Sequence, residues 1–275
     1  MLQGVMLLWF ILTAMSVAYV AVDIRKTPES KVLKWGFILL TIYTGPVGAF
    51  LYVLGCREPL PGMHEQYVSV RWRQVLGSTM HCVAGDGVGI LVGAVLGSVL
   101  SLSMLLDIGL EYILGFGFGW TIFQALFMKD SMGGTYGKAL KTTFISELLS
   151  MNCLMAGMVP VAAIVKASIP GGNNPINPEF WFIMSMALLI GFISAYPMNW
   201  WLVSNHLKHG MMTVRPEPPE AEDQQMPQGM TQGAAGMSGG AMGGKTVSNF
   251  EIAKMTLLSF ALFALGILIA LVVGG

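Results

Sequence analysis

The sequence predicts an all-α integral membrane protein, a bundle of about seven transmembrane helices in which the third to sixth form the core. Three observations carry this. Of 275 residues, 54% are hydrophobic and only 11% are charged, and the mean hydropathy of +0.66 is too high for a water-soluble globule. The apolar residues gather into seven runs of roughly the 20 residues that a helix needs to cross the hydrocarbon core. Backbone groups in lipid must be satisfied within the segment, so such runs are helices. Finally, the residues that lipid tolerates poorly fall mainly in the third to sixth runs, which separates a frame from a site.

The runs cover residues 2–22, 32–54, 80–105, 108–128, 142–165, 180–202 and 252–273. Residues 1–55 read as two N-terminal transmembrane helices. The first lacks the basic flank of a secretion signal and counts as a span. Residues 56–79 mix prolines with Trp72, Arg71 and Arg73 and suit an interfacial segment. Residues 80–206 form a four-helix core. Gly85, Gly89, Gly93 and Gly97 recur every fourth residue along its first helix, a stripe where another backbone can approach closely. Residues 207–248, rich in Met, Gly and Pro, read as a flexible loop. Residues 249–275 are a C-terminal transmembrane helix, without site-like residues, that serves as an anchor or lateral addition.

Seven crossings put the N-terminus and the loops 56–79, 129–141 and 203–251 on one side, face A. The unusual residues collect at the helix ends on that face. The third helix opens TMHCVAGD, with Cys82 and Asp86 four apart on one helical face beside His81. The fourth closes with Gln124, Met128, Asp130 and Met132. The fifth carries Glu147, Met151, Met155 and Met158 in a single stripe about 80° wide, with Cys153 nearby. The sixth ends with Met198 and Asn199, then His206, His209, Met211 and Met212 at its mouth. Thiol, thioether and imidazole are the ligands a soft cation selects, so the set points to Cu(I). His81, Cys82, Asp86, Glu147, Met151, Cys153, Met155, His206 and His209 are the candidate metal residues. Asp86, Glu111 and Glu147 are also candidates as ionisable groups within the membrane, although no cation is evident deep in the core to meet an anion. Met226, Met230, Met237 and Met242 add thioethers to the loop on the same face.

Packing alone explains much of this, since methionine is a flexible gap filler and the chain has 21. No P-loop, GxSxG, HExxH or CxxC motif occurs, so the reading is not an enzyme. Zero net charge without a basic arm argues against nucleic acid. Lys and Arg number nine on face A against five on the other side, yet the densest cluster, Arg25 to Lys34, falls on the other side, and orientation stays open.

The blocks TMHCVAGDGVGI, EYILGFGFGWTIFQALFMKDSMGGTYGKA, ELLSMNCLMAGMVPV and MSMALLIGFISAYPMNWWLVSNHLKHGMM resemble a family of prokaryotic membrane proteins, domain of unknown function 4396, over roughly residues 70 to 215. The resemblance implies a helical core that leaves the first two helices and the last outside it, and it names no activity. It also implies a prokaryotic inner membrane and a neighbourhood of copper-handling proteins. Two functions are expected from all of this. The first is a Cu(I)-binding membrane protein that moves the ion, served by a copper chaperone. The second is a non-catalytic accessory subunit of a larger membrane complex, such as a copper-dependent oxidase or monooxygenase.

Overall fold

The computed structural model describes residues 2–126, 135–210 and 247–274, and all regular structure among them is helical. Met128, Asp130 and Met132 and the methionines of the 211–246 stretch lie outside the described residues. Six helical stretches are long and apolar enough to span a bilayer: α1 (Leu2–Asp23), α5 (Arg71–Val99), α6 with its continuation (Met104–Leu126), α7 (Tyr136–Ser168), α8 (Pro178–Ser204) and α9 (Asn249–Gly274). In α5, α7 and α8 more than half of the spanning window is buried, whereas α1 and α9 turn most of their Leu, Ile and Val outward. The chain is therefore a multi-pass membrane protein with a core of α5 to α8, flanked by lipid-facing helices.

The second apolar run does not cross. It folds into two shorter helices, α2 (Lys31–Thr44) and α3 (Pro46–Gly55), about 21 and 15 Å long at helical rise. They are joined at Gly45, whose φ of 59° and ψ of −137° belong to a region open in practice only to glycine. Pro46 then starts α3, where its missing N–H is no loss. The two helices run antiparallel: Gly48 fits against the Thr41 backbone, and the rings of Phe37 and Tyr52 meet at 5.6 Å. The hairpin tip lies against Trp9 and Thr13 in the middle of α1, and both hairpin ends return to the end of α1. There Tyr52 and Arg57 donate to Asp23 at 2.8 and 2.9 Å, and His64 Nε2, at the start of the short helix α4 (His64–Val68), lies 3.0 Å from Glu29. Length and composition of this run satisfy the span rule, but Gly45-Pro46 breaks it at a point where neither half can reach across.

The hairpin changes the count of crossings. Residues 24–30 now share face A with residues 56–70, with the end of α6 at Leu126, the start of α7 at Tyr136, the end of α8 and the start of α9, while Leu2 and Gly274 lie on the opposite face B. The cluster Arg25, Lys26, Lys31 and Lys34, expected on the other side, joins face A. Lys166 is then the one Lys or Arg on face B among the described residues.

Between the spans, glycine decides the closest approaches. At Gly89 an added Cβ would overlap the Leu114 carbonyl, and at Gly93 it would lie 2.7 Å from the Glu111 Cα. The expected stripe is thus the seam along which α5 and α6 touch backbone to backbone. The last helix packs on α7, where Gly266 faces the Ala156 carbonyl. That carbonyl is four residues before Pro160, which has no N–H to give it. Asn152 also donates to Ser259 of α9 at 3.0 Å.

A buried thiol, carboxyl and ammonium site

Beyond Phe118, α6 widens into a π-helical segment, Gly119–Leu126. Such segments are uncommon and recur at functional sites. This one carries Gln124 and the Phe123 carbonyl into the core opposite α5, and it places Gly119 between two acids. At the other end of the site, α8 stops at Ser204. His206 adopts a left-handed conformation (φ 58°), and the N–H groups of Leu207 and Lys208 turn back to the Leu202 carbonyl at 3.0 and 3.3 Å. The reversal leaves His206 and His209 exposed and sends Lys208 inward, 8% exposed.

The ammonium of Lys208 donates to Cys82 Sγ and, at 2.9 Å, to Asn199 Oδ1, and it lies 3.5 Å from Glu147 Oε2. Gln124 donates to the same sulfur at 2.9 Å, and the Cys82 thiol donates to Glu147 Oε2 at 3.1 Å. Asn199 is held in turn by its donation to Ser150 at 2.8 Å. One thiol is thus ringed by an amide, an ammonium and a carboxylate drawn from the π segment, the α8 reversal and α7.

Asp86 and Glu147 both face Gly119. A Cβ there would overlap Asp86 Oδ1 and lie 3.0 Å from Glu147 Oε1. Both carboxyl groups are fully buried, yet Asp86 Oδ1, Asp86 Oδ2 and Glu147 Oε1 have no hydrogen-bond partner. With both acids ionised, two carboxylates would face one ammonium, so one proton or one cation between them closes the charge. Buried charges are costly unless paired, so the two oxygens that meet at Gly119, with Asp86 Oδ2 also unpartnered, mark a place for a cation or a proton. Beside them, the methyl end of Met151 reaches to 2.8 Å of the Cβ position at Gly115.

His81 Nε2–H donates to the Phe123 carbonyl at 3.0 Å, because a carbonyl only accepts, which leaves Nδ1 buried with its lone pair unpartnered. Of the sequence-derived residues, Cys82, Asp86, Glu147 and Met151 come together, with His81 adjacent in chain. Met155 and Met158 continue the α7 stripe into the apolar core. Cys153 belongs to a separate apolar cluster with Leu149, Met198 and Leu202, and His206 and His209 stand at the surface. Among the described residues no three His, Cys, Asp or Glu side chains close around a common point as a ready ligand set. The expectation that the core holds no deep cation is corrected by Lys208. Its signal lay in NHLKHG, where a helix end followed by a reversal can turn a lysine inward.

These features define a polytopic helical membrane protein with an ionisable site midway through its core. Residues 71–208, half of the chain, match the family described as a domain of unknown function (DUF4396), and the chain belongs to it. The matched stretch runs from the first residue of α5 to Lys208 itself, and so holds every residue of the site. No curated protein and no solved structure matches the chain.

Proposed function

We propose that this protein carries a monovalent cation across the membrane, and that the cation binds between Asp86, Glu147 and Cys82. The observation that carries the reading is the trio of buried carboxyl oxygens without a donor. Intramembrane acids of this kind mark ion paths and proton relays. Lys208 acts as an internal counter-cation that a bound ion displaces from Cys82 and Glu147. Soft ligands favour Cu(I) as the cargo: the Cys82 thiol would ligate as thiolate, its proton leaving the site by way of Glu147, with the Met151 thioether beside it. In that exchange one proton leaves as one Cu(I) arrives, and the charge of the site is unchanged. The basic residues of face A support a cytoplasmic face A.

Proteoliposomes loaded with a Cu(I) indicator and a pH dye test the reading. Cu(I) uptake that is lost in Cys82→Ala and Asp86→Asn supports it. Proton flux without Cu(I) uptake makes the proton the cargo and removes copper. Neither flux, with stoichiometric foreign subunits co-purifying, replaces the carrier by an accessory subunit of a larger complex.

A further inference from the structure

On face B, a cavity of about 400 Å³, partly lined by polar groups, opens between the start of α6 and the end of α7. Asp107, Lys166, Ser98, Ser101 and Asn173 line it. The Lys166 ammonium lies 3.8 Å from Asp107 Oδ2, while Asp107 Oδ1 is buried without a partner. One turn deeper on the same face of α6 is Glu111, 5% exposed, and no side chain or backbone N–H among the described residues donates to it. Continuing in steps of four from Asp107 and Glu111, the same helical face presents Gly115 and Gly119, the two glycines against which Asp86 and Met151 lie. From Asp107 to Gly119 the climb is about 18 Å at 1.5 Å per residue. Two acids face one lysine along this stretch, and lipid-facing helix would carry neither acid.

We propose that this cavity is the face B mouth of the cation path, with Glu111 an intermediate cation site between it and the Asp86–Glu147 pair. The inference rests on the carrier reading. It makes the central pair reachable from both faces, as a carrier requires, by way of one face of α6. Met151, whose flexible end stands at Gly115 between Glu111 and Asp86, is the residue that yields when the ion passes.

The test is Cu(I) flux into proteoliposomes, with equilibrium Cu(I) affinity measured in detergent on the same preparations. Glu111→Gln and Asp107→Asn should each lower flux at least tenfold while affinity at the central pair stays within twofold. A second arm needs no loss of charge: Ser101→Cys, modified by a bulky impermeant thiol reagent, should block flux, whereas wild type given the same reagent should not change. Flux within twofold of wild type in both acid variants and in modified Ser101→Cys overturns the inference and leaves the carrier reading standing. If the acid variants do not fold, the Ser101→Cys arm decides alone. No flux in wild type itself overturns the carrier reading and this path with it.

Discussion

Lys208 and Asp86 make opposite demands on stability. Lys208 compensates Glu147, so Lys208→Met strands a buried carboxylate and should cost about 3–5 kcal/mol, the scale of a broken buried ion pair. Asp86 has no donor to either oxygen, so Asp86→Asn removes a buried charge that nothing satisfies and should raise the melting temperature of the purified protein. Thermal unfolding in detergent checks both, and a stabilised but inactive Asp86→Asn would be the signature of a site held for function. The sequence made Asp86, Cys82 and Glu147 legible because acids and a thiol stand out inside apolar runs. Lys208 was hidden because its inward path depends on His206 taking a left-handed conformation, which no spacing rule announces. Cys153 lies apart from the cluster for a related reason. Two residues from Met151 it turns to another face of α7, and only the partner helices say which face holds chemistry.

At the scale of elements, the fourfold glycine spacing on α5 foretold the α5–α6 seam. Gly89→Ala forces a Cβ into the Leu114 carbonyl and should destabilise far more than Gly109→Ala, whose added methyl meets nothing within 4 Å. The latter should even gain up to about 1 kcal/mol of helix propensity. Comparing the two melting curves separates close packing from the generic effect of replacing glycine. The hairpin was not legible as such, since hydropathy over residues 32–54 is that of a span and only the Gly45-Pro46 pair signals otherwise. Gly45→Ala carries the strain of a positive φ and meets Thr13 and Trp9 at 2.7 and 2.8 Å, so it should open the hairpin and lower stability by more than the strain alone.

For the whole molecule, the hairpin turns a seven-crossing reading into six crossings with both termini on face B. With six crossings Arg25 to Lys34 share a face with the other basic residues, and the distribution of Lys and Arg carries no conflict. Cysteines placed at Lys26 and at Gly62 should react with an impermeant thiol reagent from the same side of oriented vesicles. Under seven crossings they would react from opposite sides. Cys82, Asp86, Glu147 and Met151 meet within the core at the level of the π segment, away from the helix ends. The π segment left no trace in the sequence beyond the alternating glycines 115, 117 and 119.

The central claim is that a cation is held by Cys82 with the Asp86–Glu147 pair, and an equilibrium titration addresses it without any need for transport. Purified protein, titrated with Cu(I) against a coloured competing chelator, should bind one Cu(I) per chain, lose that binding in Cys82→Ser and weaken it at least tenfold in Asp86→Asn. Binding that is absent in wild type, or equal in Cys82→Ser, would contradict the assignment of this site to Cu(I).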